Sequence, residues 1–152
     1  MKSSLLIGAL TTLLTGAAIG IQATLNSRIG AEISPARTGL WMNFVGGAIA
    51  GIIILFMVRT EGAANWRLSG SLFFMLAIAG SLGILVITGV SFSLARTGVA
   101  AGLGGMFLGQ LLVGLIVDSL GWGVNTAIPL NPTRILGVLL MALAVYLMLP
   151  RG

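Results

Sequence analysis

The sequence SLFFMLAIAGSLGILVITGVSFSLA, residues 71–95, contains no charged side chain and consists of apolar and small residues. A helix needs ~20 such residues to cross the ~30 Å hydrocarbon layer of a membrane. Four more runs of this kind flank it, near residues 4–26, 38–58, 98–117 and 133–149. The sequence therefore predicts an all-α integral membrane protein with five transmembrane helices, forming a single transmembrane domain over residues 1–152.

The composition supports this class and excludes others. Apolar residues make up 57% of the 152 residues and charged residues 7%, which is more apolar surface than a soluble core of this size can bury. The chain has no cysteine and no histidine, so the usual zinc ligands and acid–base residues are missing. The basic residues stand singly and form no nucleic-acid-binding patch. We expect no enzyme, no cofactor, no metal site and no nucleic-acid partner.

The first run also has the features of a signal peptide. Lys2 precedes an apolar stretch, and the small residues Gly16, Ala17 and Ala18 resemble a cleavage site. However, the apolar pattern continues to Ile21, and four more runs follow. We therefore interpret residues 4–26 as a retained first helix.

The loop charges give no preferred orientation. Five crossings place the two termini on opposite faces of the membrane. The eight basic residues then divide equally, with Lys2, Arg59, Arg67 and Arg134 on one face and Arg28, Arg37, Arg96 and Arg151 on the other. An excess of positive charge normally fixes the cytoplasmic face. We predict insertion in both orientations and an antiparallel homodimer, or pairing with a homologous, oppositely oriented chain; the alternative is that a local effect or a partner fixes one orientation.

Four amide side chains within the apolar runs are candidates for substrate binding: Gln22, Asn26, Asn43 and Gln110. Polar groups in a bilayer are costly and often functional. Amides donate and accept hydrogen bonds without carrying charge, so they suit a polar or weakly charged small molecule. The alternative is a purely structural role in hydrogen bonds between helices. The stripe Ser81, Thr88 and Ser91 in the third helix is expected to face protein or water.

Glycines at helical spacing predict close helix packing. They lie in the first helix (Gly16, Gly20), the second (Gly47, Gly51) and the fourth (Gly98, Gly102, Gly105, Gly109). After Arg134 the fifth helix has no polar residue before Tyr146, and it is expected to lie outside the substrate pocket.

Asp118 is the one carboxylate that directly follows an apolar run, since Glu32 and Glu61 fall in predicted loops. A helix C-terminus disfavours negative charge, so Asp118 needs a proton or a cation. Arg134 is the first candidate and an arginine of a second copy is the other. Asp118 is therefore predicted to form a charged contact at the membrane edge or to take part in ion coupling.

Several short segments follow one another in a recognisable order. They are Gly20-Ile-Gln-Ala-Thr-Leu-Asn-Ser-Arg-Ile-Gly30, Asn43-Phe-Val-Gly-Gly47, Gly109-Gln-Leu-Leu112, Val117-Asp-Ser-Leu-Gly121 and Pro129-Leu-Asn-Pro-Thr-Arg-Ile-Leu-Gly137. Together they resemble the YdcZ-type proteins, a five-helix branch of the drug/metabolite transporter superfamily. The resemblance implies a bacterial inner-membrane protein whose five-helix halves pair antiparallel or are fused into a ten-helix transporter.

These observations favour a secondary transporter, an exporter of small organic solutes. The small multidrug exporters of the superfamily carry a glutamate in the first helix, whereas this chain has Gln22 there. Because an amide does not carry a transferable proton as a carboxylate does, this difference argues against a simple proton/cation antiport mechanism. Two alternatives remain. A non-transporting membrane subunit or assembly factor would tolerate apolar residues at Gln22 and Gln110. A lipid-handling protein would have a lateral groove beside the third and fourth helices.

Overall fold

The computed structural model describes residues 2–122 and 126–150, with side chains described from residue 6 onward. Within these ranges the chain forms helices and contains no strand, which confirms the all-α class. A short 3-10 helix, Ala63–Trp66, precedes the third long helix. The long helices are α1 (Lys2–Ile33), α2 (Pro35–Glu61), α3 (Gly70–Thr97), α4 (Val99–Leu120) and α5 (Pro132–Met148).

Four of the five helices, α1 to α4, are long and apolar enough to cross a membrane. Helix α5 is also apolar but has 17 residues. At ~1.5 Å per residue it is about 25 Å long, at the lower end of the range for a transmembrane helix. Helix α5 is therefore the shortest of the five long helices.

The largest difference from the predicted boundaries concerns α1. The sequence predicts its end at residue 26, whereas the helix continues to Ile33 through residues predicted as a loop. A helix satisfies its backbone internally, so it can extend past the apolar layer with polar residues such as Arg28 on its surface. Arg151, counted above among the loop charges, lies outside the described residues, as do both terminal residues and positions 123–125.

Two helix pairs are joined by a single residue with the same unusual backbone. Ser34 connects α1 to α2 with φ 84° and ψ 150°, and Gly98 connects α3 to α4 with φ 77° and ψ 162°. Each N–H donates to the carbonyl four residues earlier, and each carbonyl accepts from the N–H four residues later, all at 3.0 Å. Glycine adopts a positive φ without strain, as at Gly98. At Ser34 the same backbone conformation costs conformational energy, because the side chain clashes with the neighbouring backbone. Pro35 then starts α2, where its missing N–H is tolerated.

The chain divides into two compact units. The central unit, residues 25–92, contains the end of α1, all of α2 and most of α3. The terminal unit, residues 1–24 and 93–152, contains the start of α1, the end of α3, α4 and α5.

In the terminal unit, α4 ends in a Schellman turn. Gly121, with φ 66°, donates to the carbonyl of Asp118 at 3.2 Å, and Trp122 donates to that of Val117 at 3.1 Å. Helix α5 starts at a cap in which Asn131 Oδ1 accepts from the Arg134 backbone N–H at 2.8 Å. The two helices pack closely because Gly104 lacks a side chain: a Cβ there would lie 3.1 Å from Val145 Cγ2.

Candidate functional site

Three buried polar side chains in the central unit define the candidate site. Asn26, Thr38 and Ser91 are 3%, 0% and 1% exposed. They come from α1, α2 and α3, and they are the buried polar residues among the described side chains. Few of the described residues are buried, so the concentration of polar groups here is unusual for a protein whose helices are apolar.

Helices α1 and α3 meet at a hydrogen bond and a glycine. Ser91 Oγ donates to the backbone carbonyl of Asn26 at 2.9 Å. One turn further along α1, a Cβ on Gly30 would lie 2.9 Å from Ser91 Cβ and 3.6 Å from Thr38 Oγ1. Any other residue at position 30 would push Ser91 away. Gly30 therefore brings the α3 hydroxyl against the α1 backbone.

Helices α2 and α3 also approach each other at a glycine. A Cβ on Gly39 would lie 2.7 Å from the carbonyl oxygen of Ile84 and closer still to the Thr88 hydroxyl. Asn43, one turn along α2, donates from Nδ2 to the carbonyl of Gly39 at 2.9 Å. The Asn43 side chain also packs against Gly83 of α3: a Cβ added at Gly83 would lie only 2.9 Å from Asn43 Oδ1. We call the residues at these contacts the three-helix polar cluster: Asn26, Gly30, Thr38, Gly39, Asn43, Gly83, Thr88 and Ser91.

Asn26 carries an unsatisfied acceptor. Its side chain is buried, and within the described part of the chain nothing donates a hydrogen bond to Oδ1. Buried polar atoms are nearly always hydrogen-bonded, and leaving one without a partner costs about 1–3 kcal/mol. By contrast, the Thr38 hydroxyl donates to the carbonyl of Ser34 at 2.9 Å. Asn26 Oδ1 is thus the position in the cluster where a further donor would be stabilising.

The structure divides the four predicted binding residues between two environments. Asn26 is buried and Asn43 is half-buried, and both belong to the three-helix polar cluster. Gln22 and Gln110 belong to the terminal unit, and both are exposed on the single chain. Of the predicted hydroxyl stripe, Thr88 and Ser91 lie in the cluster, whereas Ser81 is exposed and bonds to the Ala77 carbonyl of its own helix.

The predicted packing glycines also differ from one another. A Cβ on Gly102 would lie 2.7 Å from Leu94 Cδ1, and one on Gly20 would lie 3.8 Å from Leu103 Cδ1. Gly98 is the connection between α3 and α4 described above. The remaining five have open space around them in the described structure, with nothing within 4 Å: Gly16, Gly47, Gly51, Gly105 and Gly109.

At the opposite end of the sequence, Asp118 forms an ion pair with Arg134 through Oδ2 and Nη2. Arg134 Nη1 also donates to the carbonyl of Ile128 at 3.3 Å, and the Ile128 N–H donates to the carbonyl of Asp118 at 2.9 Å. The side chains of Asp118 and Arg134 are 37% and 26% exposed. Arg134 therefore neutralises the carboxylate at the end of α4, and its contact with Ile128 links the loop before α5 to that helix.

Sequence reasoning did not identify Gly30, Thr38 or Gly39 as part of a site. The available signal was the density of small residues between Asn26 and Asn43. It was obscured because residues 27–35 were predicted as a loop. Among the described residues, no group of three acidic, cysteine or histidine side chains is placed to hold a metal ion. The chemistry of the cluster is that of amides and hydroxyls.

Long apolar helices enclosing such a cluster define a multi-pass helical membrane protein. A comparison with protein families matches residues 7–147 to the family described as "Putative inner membrane exporter, YdcZ". The chain therefore belongs to the YdcZ family and is a multi-pass inner-membrane protein of an exporter family. That description is of transport rather than catalysis. Neither the curated proteins nor the solved structures give a match.

Proposed function

We propose that this protein is a secondary transporter of the bacterial inner membrane that exports small organic solutes. It works as an inverted homodimer, or with a homologous chain of opposite orientation, so that two five-helix chains form a ten-helix transporter. Membership of an exporter family supports transport. The observation that carries the assignment of a binding site is the buried, unsatisfied Oδ1 of Asn26.

The chemistry of the three-helix polar cluster limits the solute. Its polar side chains are neutral, so nothing in it compensates a full charge on a ligand, and a buried unpaired charge is strongly disfavoured. An N–H or O–H group of the solute would satisfy Asn26 Oδ1. Asn43 lies on α2 in the same cluster and supplies a second amide. The solute we propose is therefore polar, weakly charged or neutral, and carries at least one hydrogen-bond donor.

The exposed amides of the terminal unit support a second chain. Gln110 lies near the middle of α4 and Gln22 lies within α1, so both fall inside apolar membrane helices. An amide left without partners in hydrocarbon costs several kcal/mol. In the proposed dimer, Gln22 and Gln110 face a polar cavity shared by the two copies. Inverted repeats around a site near the bilayer midplane are a common design of secondary transporters.

A ligand screen tests the binding site. Thermal unfolding of the detergent-purified protein is measured against a set of small polar solutes, together with Asn26→Leu and the control Ser81→Ala. A solute of the proposed class raises the melting temperature of the wild type and of Ser81→Ala but not of Asn26→Leu. Export of that solute from proteoliposomes then follows the same pattern. A solute that binds all three proteins equally would show that Asn26 is not the site.

Labelling of single cysteines tests the inverted arrangement. The natural chain contains no cysteine, so one introduced at the exposed Ala64 is the sole labelling position. A membrane-impermeant maleimide added to intact cells should label roughly half of the molecules if both orientations are inserted equally, as the balanced loop charge predicts. Complete labelling, or none before the cells are opened, would contradict dual insertion.

A further inference from the structure

The terminal unit contains an apolar groove between α4 and α5, with a volume of about 260 Å³. Leu130 of the connecting loop contributes to its lining. Its walls are Leu112, Leu115 and Ile116 from α4 and Ile135, Val138 and Leu139 from α5. Because its lining consists of apolar side chains, this groove suits an acyl chain.

The ion pair lies at the head of the groove. Leu115 precedes Asp118 by one helical turn, and Ile135 directly follows Arg134, so the groove leads from the pair into the membrane. Both charged side chains are partly exposed. Arg134 has five N–H donors, and the contacts to Asp118 and Ile128 use Nη2 and Nη1. The head of the groove therefore presents a cation and an anion side by side.

Two other surface crevices provide a comparison. One, of about 300 Å³, lies on α3 between Ala77 and Leu85 and has no charged residue in its lining. Another, of about 340 Å³, lies on α2 and has Arg59 as its one charged lining residue. The lining of the α4–α5 groove is itself uncharged, and what distinguishes this groove is the Asp118–Arg134 ion pair that adjoins it.

We propose that the α4–α5 groove and the Asp118–Arg134 pair bind a phospholipid whose headgroup carries a primary ammonium. One acyl chain lies in the groove, the phosphate accepts hydrogen bonds from Arg134, and the ammonium donates to Asp118. The site shares no residue with the three-helix polar cluster, and the proposal of lipid binding here does not rest on the transported solute.

The headgroup preference follows from charge and hydrogen bonding. A phosphoethanolamine headgroup places a phosphate and a primary ammonium close together, which matches the adjacent Arg134 and Asp118. A phosphocholine headgroup has the same charges, but its quaternary ammonium has no N–H to donate. A phosphoglycerol headgroup also accepts hydrogen bonds from Arg134 but offers Asp118 no cation beyond Arg134 itself. Charge-assisted hydrogen bonds are about twice as strong as neutral ones, so this difference is measurable.

Native mass spectrometry of the detergent-purified protein tests the proposal, with titration of phosphatidylethanolamine, phosphatidylcholine and phosphatidylglycerol of identical acyl chains. The expected result is that phosphatidylethanolamine binds about tenfold more tightly than phosphatidylcholine, which corresponds to about 1.4 kcal/mol. Asp118→Asn should lower phosphatidylethanolamine binding more than phosphatidylcholine binding and so remove this preference, because only the primary ammonium loses a hydrogen bond. Equal binding of the three lipids to the wild type, or equal loss of all three in Asp118→Asn, would overturn the proposal.

A second variant keeps the ion pair intact, so the test does not depend on the folding of Asp118→Asn. Val138→Phe fills the groove and should lower phosphatidylethanolamine binding about tenfold or more, since the acyl chain loses its apolar contact. The matched control is Leu85→Phe, which fills the uncharged crevice on α3 and should leave binding unchanged. A Val138→Phe protein that binds like the wild type, or an equal loss in Leu85→Phe, would exclude the α4–α5 groove.

Discussion

The hydroxyl of Ser91 donates a hydrogen bond to the backbone carbonyl of Asn26 at 2.9 Å, across 65 positions of the sequence. This bond fixes α3 against α1 at the level where the Asn26 side chain is buried. The Asn26 backbone is therefore held by a satisfied hydrogen bond, while its Oδ1 has none among the described residues. Such an arrangement holds an acceptor in place for a donor that comes from elsewhere.

Asn26→Leu is expected to raise thermal stability and abolish solute binding. Leucine has a similar shape and removes a buried unsatisfied acceptor, a gain of about 1–3 kcal/mol. The comparison is Ser91→Ala, which removes a satisfied hydrogen bond and should lower stability by about 1 kcal/mol. Thermal unfolding in detergent and solute binding are measured on both. If Asn26→Leu destabilises the protein more than Ser91→Ala, the asparagine is a structural residue.

Gly39→Ala is expected to destabilise the packing of α2 on α3. The added Cβ would lie 2.7 Å from the Ile84 carbonyl, and such overpacking costs about 1–3 kcal/mol. Gly46→Ala on the same helix is the matched control, because its Cβ would meet nothing within 4 Å. The melting temperature of Gly39→Ala should therefore be lower than that of Gly46→Ala. Equal values would mean that α2 and α3 do not approach each other at Gly39.

Ser34→Gly is expected to stabilise the protein, by up to about 1 kcal/mol, because glycine relieves the strain of φ 84°. Gly98→Ala should have the opposite effect, since Gly98 has φ 77° and alanine would bring strain into that connection. Both changes are read from thermal unfolding. Stabilisation by Gly98→Ala would contradict the backbone described for the two connections.

Asp118→Asn is expected to weaken the fastening of the loop before α5. The pair is partly exposed, so its loss should lower stability by at most about 1 kcal/mol. If the contact is structural, transport per folded dimer is largely kept. A folded dimer that binds solute but cannot concentrate it would instead assign Asp118 to ion coupling. No change in assembly, stability or transport would exclude both roles.

Leu120→Lys combined with Trp122→Lys should fix the orientation of the chain. Both positions are exposed and adjoin the loop after α4, and the added charge should hold that loop in the cytoplasm. Transport activity should fall unless a second copy with the opposite charge bias is supplied.

The same variant tests the number of crossings. In its fixed orientation, reporters fused to the two termini should lie on opposite faces of the membrane if α5 crosses it. Both reporters on one face would show that it does not.

The membrane class and the family could be predicted from the sequence. Apolar runs such as residues 71–95 require a helix in hydrocarbon whatever their neighbours are, because the backbone must satisfy its own hydrogen bonds there. The ordered short motifs led to the same family as the match over residues 7–147. These features are local or depend only on order along the chain.

Other features depend on contacts between distant residues. The extension of α1 to Ile33 was missed because its polar residues resemble a loop when no neighbouring helix is considered. Gln22 and Asn26 are one turn apart and equivalent in the sequence, yet on the single chain one is exposed and the other buried. Their difference arises because Gly30 admits Ser91 against the α1 backbone, and that approach exists only once α1 and α3 are packed together.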